Sequence, residues 1–393
     1  MTIIKSKWVL ILCMLPFMGM SILKITFYTG LAWKAVPAVF GLALLIIQLK
    51  EDYIYHKNSF PLAKRNYLIL AFLYSTNMLF SGLYNDNLTV GILYTYTFYT
   101  WVPLYIDSCT NKFKDFLIVM DILSIAVIVL SFFYAVVSPD IAYTNFADEL
   151  CFVGVLGNKN SAQLTLIPVI IYLLFSIYFF KGKYKYFFGI MIALAVIFLY
   201  LSKSGTASIV TCVLLAYLVF YRMIKVSFKG LAWTYIVVYL FVVVFRLQEV
   251  LFYDLIVNGL NKDITLSNRT LIWDHVLKAM KHSLLIGYGP RNNIIWTAFP
   301  TVVETHNGLL EIFLAGGSIS LIIFLSMLTV VGKELDKYKE NQMAGIILFS
   351  LFIYSIIGLT ECTFGYVKML FWSLMIIGLN IGKIIKQSEE ATK

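Results

Sequence analysis

Twelve stretches of this chain run for about 17–25 residues with almost no charged side chain, the length a membrane span requires. They fall at about 8–23, 29–49, 67–84, 88–106, 116–137, 161–180, 186–202, 205–221, 231–247, 307–331, 343–360 and 365–382. Runs of that length lack the polar face that a surface helix of a soluble domain shows to water. They match the hydrocarbon thickness of a bilayer, where backbone groups must be satisfied internally and each run must be a helix. The composition agrees, with 60% apolar and 13% charged residues. A soluble domain carries about 25% charged residues. A soluble enzyme, a disordered chain and a disulfide scaffold are therefore excluded. The expected fold is an all-α integral membrane protein of about 12 transmembrane helices. No repeat or low-complexity segment is visible, so 1–393 reads as a single polytopic domain.

The net charge of +10 would suggest nucleic acid in a soluble protein. Here it reports topology. With the start of the chain in the cytoplasm, the inner segments hold 20 cations and nine acids, and the outer segments hold nine of each. Cations concentrate inside in membrane proteins, so both termini are expected in the cytoplasm, with no nucleic-acid partner. Gly19-Met20-Ser21 weakly resembles a signal-peptide cleavage site, but Ile22 and Leu23 continue the apolar run, which favours an uncleaved first span. The cysteines at 13, 109, 151, 212 and 362 show no paired spacing and read as small apolar residues.

One loop is long: 248–306, between the ninth and tenth spans, on the expected outer side. Within it Ile272, Trp273, Val276, Leu277, Met280 and Leu284 recur at helical spacing, with Asp274, Lys278 and Lys281 on the other side. Ser267, Asn268 or Thr270 can cap the start, and Gly287 with Gly289-Pro290 can end it. This predicts an amphipathic helix lying on the membrane surface. Arg269 opens it. A guanidinium beside free helix N–H groups suits phosphate oxygens, although an Arg there can equally bind lipid headgroups or a nearby acid. The chain has only five Arg against 26 Lys. Three of them, Arg246, Arg269 and Arg291, lie on or beside this loop, which suggests placement for the planar fork.

His306 heads the tenth span in Glu304-Thr305-His306-Asn307. A helix N-terminus disfavours added positive charge, so a neutral ring there can serve as general base, or simply cap the helix. His56, His275 and His282 show no metal-ligand spacing with it, so neither metal nor cofactor is expected. Gly157-Asn158-Lys159-Asn160-Ser161 precedes the sixth span and Ser202-Lys203-Ser204-Gly205-Thr206 the eighth. Singly, each reads as a polar loop with a helix cap. Together they place the starts of spans six, eight and ten on one face. If these ends converge, they form a donor-rich cationic pocket suited to a lipid diphosphate.

At these residues the chain resembles the O-antigen ligase and polysaccharide polymerase family, the Wzy/WaaL-type integral membrane glycosyltransferases. The resemblance rests on about twelve spans with a long outer loop before the tenth, and on Asn268-Arg269-Thr270-Leu271-Ile272-Trp273 followed by Leu285-Ile286-Gly287-Tyr288-Gly289. It rests also on His306-Asn307, from which nine residues (308–316) lead to Gly317, on Glu311, and on the Gly157–Asn160 and Ser202–Thr206 stretches. It covers roughly 150–380. The family often has Arg where this chain has Gly205, and the ligase pattern has Gly, Thr or Tyr where it has Ser320.

The resemblance implies glycosyl transfer at the outer face of a bacterial cytoplasmic membrane, from an undecaprenyl-diphosphate-linked glycan, without metal or cofactor and with inversion. It assigns catalysis to His306 and Arg269. Substrate binding would fall to Lys203, Ser204, Asn160, Lys159, Asn307, Glu311, Arg291 and Trp273. The expected activity is polymerisation of repeat units into capsular, exopolysaccharide or O-antigen chains, with a chain-length regulator as an open partner. Ligation of a finished glycan to lipid A core or another acceptor is the nearest alternative. A lipid-linked sugar flippase or other transporter is an alternative of another class. It would favour charges deep in spans, for which Lys34, Asp121 and Lys368 are the candidates.

Overall fold

The structure, a computed structural model, describes residue 18 and residues 61–87, 113–146, 149–180, 182–221, 223–247, 251, 253–254, 268–364 and 369–392. It is mostly helical, at 76%. Numbered among the described residues, the helices are α1 (Leu62–Tyr84), α2 (Phe113–Val137), α3 (Lys159–Phe179), α4 (Tyr184–Leu201), α5 (Gly205–Phe220), α6 (Phe228–Tyr239), α7 (Arg269–Met280), α8 (Gly308–Asp336), α9 (Gln342–Ile357), α10 (Met369–Leu379) and α11 (Ile381–Thr392). Five are long and apolar enough to cross a membrane: α1, α2, α3, α4 and α8. The apolar helices at the expected spans 205–221, 231–247, 343–360 and 365–382 are shorter. The expected spans at 29–49 and 88–106, and that at 8–23 apart from Met18, lie outside the described residues, as do Lys34 and Lys368.

α3 is the hub of the bundle. It packs against α2, α4, α5, α9 and α10, and 83% of its apolar window is buried against 28% for α4. Its interior Pro168 has no N–H to give the Leu164 carbonyl four residues back. The Tyr354 hydroxyl of α9 donates to that carbonyl instead, so the proline is tolerated where no water can satisfy the backbone. Asp121 of α2 is buried and accepts from Ser176 Oγ of α3 at 2.6 Å. It is thus held at a helix interface. An aromatic cluster of Tyr74, Phe324, Phe364, Phe371 and Trp372 joins α1, α8 and α10. Between α2 and α3 a two-stranded hairpin, β1 (Tyr143–Phe146) with β2 (Glu149–Phe152), packs Phe152 on Phe198 of α4.

α8 is broken at Gly317, whose φ of 66° and ψ of −169° no helix contains. The backbone of the preceding loop fills the break. Tyr288 N–H donates to Leu314 O at 2.8 Å and Gly289 N–H to Ala315 O at 2.9 Å. In return Ser318 N–H donates to Leu284 O at 2.9 Å and Ile319 N–H to Leu285 O at 3.3 Å. The polar stripe of α1 completes the accounting: Asn77 Nδ2 donates to Gly316 O and Ser81 Oγ to Ala315 O, each at 2.8 Å. Irregular backbone within a span survives only when protein satisfies it, and here the carbonyls of Leu314, Ala315 and Gly316 and the N–H groups of Ser318 and Ile319 each have a partner. The approach is close enough to require glycine. A Cβ at Gly317 would lie 2.0 Å from Leu285 O, and one at Gly287 2.6 Å from Gly317 N.

These bonds place the amphipathic helix against α8. Trp273, near the start of α7, bonds to Thr305, just before α8. Tyr288 Oη bonds to Ala279 O near the end of α7, and the following Leu284 reaches Ser318. α7 therefore packs alongside the first half of α8. It is held in a second small core, where Ile272, Trp273, Val276 and Met280 meet Val243, Leu310, Leu314 and Leu359. Leu277 and Leu284 of the expected apolar stripe stay exposed. The helix ends at Met280, earlier than Gly287 suggested, because tight turns through Lys281, His282 and Ser283 lead into the break of α8.

Candidate active site

The first turns of α5 and α8 meet around one short segment, Gly358 to Phe364, between α9 and α10. Gly308 N–H donates to Gly358 O at 2.7 Å, and Asn307 Nδ2 donates to Leu359 O at 3.1 Å. Thr206 and Thr360 hydroxyls lie 3.2 Å apart. Tyr354, one turn before Gly358, reaches Leu164 in the second turn of α3. Of the three helix starts expected to converge, those of α5 and α8 meet at the 358–364 segment, and α3 is tied to it one turn further in, through Tyr354.

Arg269 heads α7 and is directed into this hub. Its Nη2 donates to Glu361 Oε1 at 2.6 Å, with side-chain exposures of 16% and 7% for the two partners. Asn268 occupies the cap position in a left-handed conformation, φ 66°, without a side-chain cap. Arg246 fixes the same turn, donating to Thr270 O at 3.2 Å and pairing with Asp274.

His306 stands opposite. Its Nδ1 lies 3.8 Å from Glu304 Oε1 and 3.9 Å from Glu361 Oε2, and has no hydrogen-bond partner among the described residues. One carboxylate, Glu361, therefore touches Arg269 with one oxygen and faces the imidazole with the other. The ring faces two carboxylates as well as the start of α8, so the helix end is not the only field acting on it. His306 itself has a φ of 51°, a strained value for a residue with a Cβ. Its neighbours enforce it: Thr305 Oγ1 donates to Asn307 O at 2.8 Å, and Asn307 Oδ1 caps α8 by accepting from Leu310 N–H at 3.0 Å. Glu311 adds a capping bond, its Oε2 accepting from Thr305 N–H at 3.0 Å.

The other expected site residues divide. Ser204 caps α5 and is buried, and Lys203 is exposed with φ 52°, so both stand at the α5 start beside Thr206. Asn160 N–H is bonded to Asn158 Oδ1 at the start of α3, while Lys159 lies 3.7 Å from the Phe146 ring, drawn toward the hairpin. Arg291 is exposed in a turn that Asn87 holds to α1 through Pro290 O. Trp273 and Asn307 are fully buried. Trp273 Nε1 donates to Thr305 O at 3.1 Å, so both residues fix the backbone at His306 and offer no face to a ligand. This revises the substrate-binding role the resemblance implies for them.

Sequence reasoning passed over Glu361. It lies 92 residues from Arg269 and reads as an acid at the edge of a span. The adjoining Cys362 is buried against Glu311 and Thr305. Burial, then the Glu311 and Glu304 charges, push its thiol up, which keeps it protonated and unreactive. Glu304, His306 and Glu361 place one ligand atom each within 4.8 Å, the donor types a divalent cation takes. Arg269 competes for the same carboxylate.

Residues 188–325 match the O-antigen ligase family. Members of that family are ligase- or polymerase-type glycosyltransferases, and the apolar helices agree in making this a membrane protein. The matched segment contains Lys203, Ser204, Arg269, Trp273, Arg291, His306, Asn307 and Glu311. Lys159, Asn160 and Glu361 lie outside it. No curated protein matches the chain.

Proposed function

We propose that this protein joins undecaprenyl-diphosphate-linked oligosaccharide repeat units into a polysaccharide at the outer face of the cytoplasmic membrane. The observation that carries the reading is the meeting of Arg269, Glu361 and His306 at the segment that the starts of α5, α7 and α8 all touch. Helix starts and a guanidinium suit a diphosphate. An imidazole 29% exposed at the same spot suits a hydroxyl. The donor diphosphate binds Arg269, with Lys203 at the start of α5. His306 Nε2 takes the proton of the acceptor hydroxyl. The hydroxyl oxygen bonds to the anomeric carbon, the bond from that carbon to phosphate oxygen breaks, and the lipid diphosphate leaves with the electron pair. One displacement inverts the anomeric carbon, and fixed cations stabilise the leaving charge without metal.

The Trp273-bearing loop and the Gly287-Tyr288-Gly289 turn favour the polymerase branch over the ligase, as does Ser320 at a position where ligases differ. Arg269→Ala and His306→Ala in the native host should abolish polymer at unchanged protein level. Gel analysis of the lipid-linked pool separates the branches. Single repeat units accumulate when a polymerase is lost, and long unattached chains accumulate when a ligase is lost.

A further inference from the structure

We propose that Glu361 couples donor binding to the readiness of His306, resting this on the donor reading above. In the structure Glu361 Oε1 is held by Arg269 at 2.6 Å, and Oε2 stops 3.9 Å from His306 Nδ1, beyond hydrogen-bond length. The imidazole Nδ1 is buried and unpartnered among the described residues, and the more buried of the two carboxylates beside it is engaged with Arg269. A diphosphate on Arg269 changes both terms at once. It competes for the guanidinium, and its negative charge repels a carboxylate that is only 7% exposed. Glu361 then needs a new donor, and His306 Nδ1–H is about 1 Å away from bonding distance.

Once made, that bond fixes the ring with Nε2 as the proton acceptor and stabilises the imidazolium formed when the acceptor hydroxyl loses its proton. Before the donor binds, the base stays unset, which protects the site from idle chemistry. Among the described residues the groups facing His306 are Glu304 from its own loop and Glu361 from the 358–364 segment, with Arg269 of α7 reached through Glu361. Glu311 and Cys362 lie behind them, occupied with Thr305. Glu304 is the rival partner, but at 43% exposure it is open to solvent. Glu361 is thus a positioning residue that never needs to touch substrate.

The test uses the full chain in nanodiscs with 15N-labelled histidine. Only four histidines are present, and His306→Gln assigns the signal. The probe is undecaprenyl diphosphate alone. On binding, the His306 Nδ1–H resonance should move downfield and become protected from exchange with water. In Glu361→Ala the lipid should still bind and the resonance should not move, whereas Glu304→Gln should keep the change. If Glu361→Ala does not fold, Glu361→Gln preserves volume and should show a smaller shift, because the bond has lost its charge. In turnover, Glu361→Gln should lower kcat by about 100-fold with little change in donor KM, the scale of a general base. Lipid bound with an unmoved His306 signal, a full shift in the Glu361 variants, or a loss confined to KM would overturn the coupling alone. Lipid that fails to bind the wild-type protein would overturn the donor reading and this inference with it.

Discussion

Replacing Gly317 by Ala tests whether the break in α8 is built as the hydrogen bonds imply. A Cβ there would sit 2.0 Å from Leu285 O and 2.5 Å from Ile286 N, both backbone atoms with no freedom to swing aside. The residue also has a φ of 66° with a ψ of −169°, a region open essentially to glycine alone, which costs an L-residue roughly 1–3 kcal/mol. Moving the loop away stretches the bonds from Ser318 and Ile319 to Leu284 and Leu285, at about 1 kcal/mol each. The total is about 3–5 kcal/mol, a large share of the stability of a protein domain. Thermal unfolding in detergent should show a fall of roughly 5 °C or more. Gly205→Ala is the control, since nothing lies within 4 Å of a Cβ there, and it should leave the midpoint unmoved. A Gly317→Ala protein that melts with the wild type would refute the inserted-loop account of the break.

The same geometry yields further expectations. Trp273→Phe removes the donor to Thr305 O and leaves a buried carbonyl unpaired, a cost of about 1–3 kcal/mol; activity should fall more than thermal stability, as His306 loses its support. Lys203→Ala should raise the donor KM, and adding Gly205→Arg should restore it, because a Cβ at Gly205 meets nothing within 4 Å among the described residues and the guanidinium would stand at the start of α5; no rescue would remove that helix start from the diphosphate site. Turnover should survive exhaustive EDTA treatment, whereas loss reversed by a divalent cation would transfer the role to Glu304, His306 and Glu361.

The spans were legible because lipid imposes one rule on backbone groups, and each expected span within the described residues coincides with a helix or most of one. Arg269 and His306 were legible because each opens a helix, where local sequence carries a chemical meaning. Glu361 was not, since its meaning arises only when the turn after α9 folds back on two distant helix starts. The path of α7 was hidden for a related reason: its apolar stripe fits a membrane surface and a neighbouring helix equally well. The break in α8 did leave a trace. Asn77, Ser81 and Asn85 recur every four residues along an apolar span, a polar stripe that lipid would not tolerate. Ser81 and Asn77 satisfy the carbonyls of Ala315 and Gly316, and Asn85 that of Gly287.

The purified protein, given a synthetic repeat unit on undecaprenyl diphosphate as both donor and acceptor, provides the most direct measurement. Wild-type protein should release undecaprenyl diphosphate and build chains of many repeats, each new linkage inverted at its anomeric carbon. Arg269→Ala and His306→Ala, folded by the same thermal criterion, should do neither. Normal chains from both variants would contradict the assigned site, and release of the lipid with no linkage between repeats would contradict the polymerase.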